Sequence, residues 1–88
     1  MNPKEIERHE LIGLTCKVID SRNKDLIGLQ GKIINETRNT IKIEHKNKIK
    51  TILKSEVTLE FIIKNKSIQI KGEKLLKRSE ERIKDETN

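Results

Sequence analysis

The sequence predicts a small, mainly β domain: six short antiparallel strands in a barrel or meander, with a short helix at each end. Three observations predict it. Between Thr15 and Gly72 apolar residues recur at every second position, the period of a strand with one buried face. Polar clusters rich in turn-forming residues, SRNKD, RN, KN, KSEV and KNK, interrupt that pattern at short intervals. Finally, only 32% of the 88 residues are hydrophobic while 39% are charged, so the apolar side chains suffice for one thin core and one domain.

The opening NPKEIERHELIG has the grammar of a short helix over residues 1–14. Asn2 is placed to cap it, Pro3 suits the first helical position, Glu5 stands where a capping-box acid belongs, and Gly13 is the stop. Ile6 with Leu11 or Ile12 would form its buried stripe. The strands follow as TCKVID, GKIINET, TIKIEH, KIKTIL, TLEFII and SIQIKG, filling residues 15–72. Alternation assigns Ile41 and Ile43, then Leu59, Phe61 and Ile63, then Ile68 and Ile70 to the inside, with Lys42, Glu44, Glu60, Gln69 and Lys71 outside. The tail GEKLLKRSEERIKDETN returns to helical period, giving a C-terminal helix or tail over residues 73–88.

The net charge of +6 points to an anionic partner. Its distribution is more informative than its sum. Residues 15–72 hold thirteen Lys and Arg against six Asp and Glu, whereas residues 1–14 carry a net charge of minus one and residues 73–88 carry five charges of each sign. The expected strands are therefore the basic body. Phe61 is the sole aromatic residue, and its period places it inside, so unpaired bases have no stacking platform. Binding is then expected to phosphate and sugar of a structured RNA, weakening steeply with salt.

Reactive chemistry is not expected from the polypeptide. No nucleophile stands in an activating group, and the carboxylates lie in solvated, charged stretches. Cys16, His9 and His45 lack the spacing of metal ligands. A lone Cys16 permits no internal disulfide, and without a signal-peptide pattern a cytoplasmic setting is expected. No apolar run approaches the roughly 20 residues that span a bilayer, so no membrane partner is expected.

The stretch GLQGKI poses a choice. Two residues separate Gly28 and Gly31, where a Walker loop needs four, and Ile33 and Ile34 continue as a strand instead of opening a helix. The GXXG loop of KH domains joins helices, a setting this segment lacks. Structural use of the glycines at a sharp strand entrance is favoured, with phosphate contact through their amides as the alternative. Arg38 and Asn39, at the tip of the ETRNT turn, either meet RNA or merely close a hairpin. Lys46, Lys48 and Lys50 either comb phosphates or protect an edge strand.

Taken together, RHELIGL at 8–14, LIGLQGKIINETRNTIKI at 26–43, Lys54, and GEKLLKRSEERIK at 72–84 resemble the archaeal ribonuclease P protein component 1 family over nearly the whole chain. The resemblance implies an Sm-like or SH3-like barrel with terminal helices. It also implies a protein subunit that supports a catalytic RNA in removing the 5′ leader of precursor tRNA. Catalysis would belong to that RNA and its Mg²⁺, with no cofactor held by the polypeptide. Implied partners are ribonuclease P RNA, a zinc-ribbon subunit, other ribonuclease P proteins and, as substrate of the particle, precursor tRNA. Where the family has Pro followed by acids before its last Arg-Ile, this chain has Ser79, Glu80 and Glu81, which leaves the start of the last helix open.

Carried over residue by residue, the resemblance makes Arg22, Lys24, Arg38, Asn39, Lys54, Arg78 and Arg82 RNA-facing, with Lys17 and Lys32 in second rank. Ile6, His9, Leu11 and Ile83 become protein contacts. Three rivals remain: a KOW-like ribosomal or elongation barrel, suggested by LIGLQGKI; an SH3-like protein-interaction module, disfavoured by the lack of Tyr and Trp; and a small nuclease acting without RNA.

Overall fold

The computed structural model describes residues 10–76. Six strands form it: β1 Thr15–Ser21, β2 Gln30–Glu36, β3 Thr40–His45, β4 Lys48–Leu53, β5 Val57–Ile63 and β6 Lys66–Lys71. Three 3₁₀ turns interrupt them, η1 Lys24–Leu26, η2 Lys54–Glu56 and η3 Gly72–Leu75. The strands make one antiparallel sheet in the order β4-β3-β2-β1-β5-β6. Ile52 of β4 and Ile68 and Ile70 of β6, from opposite ends of that order, belong to the same buried cluster, so the sheet curls about a single core.

The expected period sets the faces. Ile41, Ile43, Leu59, Phe61, Ile68 and Ile70 are buried, and Lys42, Glu44, Gln69 and Lys71 are exposed. Each fully buried aliphatic or Phe side chain contributes about 1.5–3 kcal/mol. These contributions hold a domain whose surface is otherwise charged. Bulges between Val18 and Asp20 in β1, and between Ile33 and Asn35 in β2, interrupt the ladders and add local bend where the sheet must curl.

One expectation is met in part and another needs correction. Of the small six-stranded antiparallel barrel or meander expected, the six antiparallel strands are present and curl about one core, with β4 and β6 as the edges of the sheet and no ladder joining them among the described residues. Helices were expected to flank the strands, and the described residues contain no α-helix. Residues 10–14, assigned to the first helix, instead lie along β2: the Gly13 amide donates to the Ile33 carbonyl at 2.8 Å and the Ile33 amide donates to the Leu14 carbonyl at 2.9 Å. Those bonds satisfy the backbone outside any helix and pull Leu11 into the core. At the other end η3 is a single 3₁₀ turn. The remainder of both expected helices, residues 1–9 and 77–88, lies outside the described residues.

Candidate nucleic-acid interface

The site is organised around η2. This turn has no side-chain cap; the Val57 amide closes it on the Lys54 carbonyl. Gly72 of η3 lies so close that a Cβ there would overlap the Lys54 carbonyl oxygen, so only glycine lets the two turns meet. On one flank the Arg22 amide donates to the Glu56 carbonyl at 3.0 Å. On the other, the Lys54 amide donates to the Asn39 carbonyl at 2.8 Å. Arg22 and the Arg38–Asn39 tip, 16 residues apart in the chain, thus flank one three-residue turn, with their side chains exposed.

The tip is built from a polar turn. The Thr37 amide donates to the Thr40 carbonyl at 2.9 Å, the Thr40 amide donates to Thr37 Oγ1 at 3.0 Å, and the two threonine hydroxyls share a hydrogen bond. Beneath them lies Lys54, which is fully buried. Its Nζ donates to Glu36 Oε2 at 2.7 Å, to the Thr37 carbonyl at 2.7 Å and to the Arg38 carbonyl at 3.3 Å. The expectation that Lys54 faces RNA is therefore corrected: its ammonium points inward to a carboxylate whose side chain is 3% exposed. Burying that charge is tolerable only because a partner charge and carbonyl oxygens surround it.

The other expected residues divide by location. Lys24 is exposed in η1, two residues from Arg22; Asn23 caps this turn by accepting from the Asp25 amide. Lys17 and Lys32 lie on the outer face of the sheet. Lys17 stands opposite Glu60 and Lys32 opposite Glu44, so acids interleave with these cations. Leu11 is a fully buried core residue, which corrects its assignment as a protein contact. Arg78, Arg82, Ile6, His9 and Ile83 lie outside the described residues.

The glycines have geometric uses. Gly28 adopts φ +94°, and its amide donates to the Val18 carbonyl at 2.8 Å, which commits the group a phosphate would need. Gly31 pairs with Cys16 in the ladder, and a Cβ there would overlap the Glu44 carbonyl oxygen. His45 Nδ1 donates to the Gln30 carbonyl at 2.6 Å, tying the β3–β4 hairpin to the start of β2. Its neighbour Lys46, with Asn47, and the pair Lys64 and Asn65 at the β5–β6 tip all have positive φ. Two-residue loops of this kind project their lysines from the sheet. The cation pair around the second loop, Lys64 and Lys66, carries only a turn signature in the sequence, KNK.

Nothing reactive gathers here. A groove of about 280 Å³ beside η2 is lined by Arg22 and Lys71, but also by Asp20, Glu56 and Glu73, and these acids offset its cations. Among the described residues no group of His, Cys, Asp and Glu side chains is arranged to hold a metal ion. Burial pushes the Cys16 thiol up from 9.0 to about 12, leaving it a core packing group with little thiolate.

Fold and site together define a small cationic domain, all-β over the described residues, whose exposed charge is carried by the outer face of the sheet and by its loops. Comparison with known proteins is more specific. The family model for ribonuclease P/MRP, subunit p29, matches residues 4–85. Ribonuclease P protein component 1 of Methanococcus aeolicus is 43% identical over 86 residues, covering 96% of this chain and 90% of the relative. That of Thermococcus sibiricus is 44% identical over 84 residues, covering 96% and 68%. The solved structure of Mth11, a homologue of human RNase P protein Rpp29, superimposes with a TM-score of 0.60 at 36% identity, covering 85% of this chain and 99% of that one. The chain belongs to the ribonuclease P/MRP p29 family.

Proposed function

We propose that the chain is a protein component of ribonuclease P that grips the particle's RNA through the loops around η2, leaving cleavage of the precursor tRNA leader to the RNA and its Mg²⁺. The family match over residues 4–85 carries the reading. The geometry supports the site: Arg22 on one flank of η2, with Lys24 two residues further on in η1, and Arg38 and Asn39 on the other flank, all exposed. Arginine suits such a surface because its planar fork can donate two hydrogen bonds to one phosphate.

The fold is read as an Sm-like variant in which the curled sheet stays open between β4 and β6. Arg78 and Arg82 are also assigned to RNA contact, and Lys17 and Lys32 make weaker contacts on the outer face, where Glu60 and Glu44 oppose them. Ile6, His9 and Ile83, in the near-neutral terminal segments, are assigned to a zinc-ribbon partner subunit, and the particle to the cytoplasm.

Reconstitution tests the role. The protein is added to ribonuclease P RNA at limiting Mg²⁺, with and without a zinc-ribbon subunit, and precursor tRNA cleavage is followed. The expected result is faster cleavage or a lower Mg²⁺ requirement; no change in either overturns the proposal. Cleavage by the protein without RNA would favour the nuclease reading. At the site, Arg22→Ala and Arg38→Ala should each lower the slope of log affinity against log salt by about 0.9, with the thermal midpoint within a few degrees of the parent.

A further inference from the structure

Three consecutive carbonyls, those of Thr37, Arg38 and Asn39, all accept hydrogen bonds from one residue, Lys54. Its ammonium takes the first two and its backbone amide takes the third. Turn carbonyls at a hairpin tip ordinarily face water, and here they are drawn beneath the tip instead. With the main chain turned inward and Thr37 stapled to Thr40, the Arg38 and Asn39 side chains are left exposed. Glu36 balances the charge of the strut. Gly72 seats η3 against the Lys54 carbonyl, so the strut is braced from behind.

We propose that Lys54 is a positioning residue for RNA binding: its buried ammonium orients the Arg38–Asn39 tip toward the RNA and touches no RNA itself. This rests on the reading that the tip contacts RNA. A buried lysine that holds a loop costs nothing in conformational freedom when RNA arrives, because the tip is already ordered. Its charge is spent internally, so the cation offered to phosphate at this tip is that of Arg38.

A double-mutant cycle tests the assignment. The salt dependence of ribonuclease P RNA affinity is measured for the parent, Lys54→Met, Arg38→Ala and the double variant. Lys54→Met should weaken binding several-fold in the parent background and have no further effect once Arg38 is gone. The double variant should therefore show the slope loss of Arg38→Ala alone, about 0.9. A loss of about 1.8 would mean that Lys54 grips a phosphate directly, and parent-like binding by Lys54→Met would mean that it positions nothing; either overturns the inference while leaving the tip in the interface. If Arg38→Ala itself changes neither affinity nor slope, the reading of the site fails first.

Should Lys54→Met not fold, the cycle is run with Glu36→Gln/Lys54→Met, which leaves no unpaired buried charge. In the unmodified protein, amide relaxation at Thr37–Asn39 should give strand-like order parameters of about 0.85. A tip with values below about 0.6 would overturn the inference as well.

Discussion

Removing the Lys54 ammonium should be among the most destabilising single changes available to this protein. In Lys54→Met the side-chain volume is nearly kept while its charge is lost. Glu36, 3% exposed, is then left as a buried carboxylate without the ammonium 2.7 Å away, and the Thr37 and Arg38 carbonyls lose a donor. Breaking a buried pair from one side costs about 3–5 kcal/mol, against roughly 0–1 kcal/mol for an exposed one. In a domain this size the thermal midpoint should fall by about 12 °C or more. Urea unfolding followed by far-UV circular dichroism measures the free-energy loss, with the urea midpoint falling and the slope unchanged. The double variant Glu36→Gln/Lys54→Met should recover most of the loss, because no buried charge is left unpaired. A loss under about 1 kcal/mol for Lys54→Met would refute the reasoning, since it would place the ammonium in water.

Other outcomes follow from the backbone and the core. Gly31→Ala and Gly72→Ala should each destabilise by about 2 kcal/mol or more, because each Cβ would overlap a carbonyl oxygen; unchanged urea midpoints would contradict the close approaches. Replacing Lys64 and Asn65 by Asn-Gly should stabilise by about 1 kcal/mol, since both positions have positive φ; a lowered midpoint would contradict the loop conformation. Burial holds the Cys16 thiol protonated to about 12 against 9.0 unperturbed. The native state therefore keeps a proton that the unfolded chain releases, and this contribution is fully present below pH 9 and is lost between pH 9 and pH 12. Parent stability should fall more steeply there than that of Cys16→Ala, by up to about 1.4 kcal/mol per pH unit, and parallel curves would refute it.

The two-residue period of TIKIEH, TLEFII and SIQIKG placed their strands and faces almost to the residue, because alternation is a local property that burial on one side imposes. KIKTIL was less informative. Its apolar residues fall on both faces, and the structure buries Ile52 while Ile49 is 56% and Leu53 48% exposed. Lys54 was out of reach: its burial depends on Glu36, 18 residues earlier, and within ILKSEV a lysine has the local signature of a solvated turn. Leu11 misled for the same reason, since the bonds that draw it inward go to β2. Among site residues, the exposed tip at Arg38 and Asn39 was legible from turn chemistry, whereas its approach to Arg22 through η2 was not.

The place of β1 in the sheet carries a kinetic consequence. Its partner β5 lies about forty residues further along the chain, with Cys16 opposite Phe61 and Ser21 opposite Val57, while β2–β3, β3–β4 and β5–β6 are local hairpins. The hairpins zip early, and the β1–β5 seam must wait for a long loop to close, so that seam governs the folding rate. A synthetic linkage that brought β1 next to β5 in the chain would shorten the search and speed folding without altering a single side-chain contact.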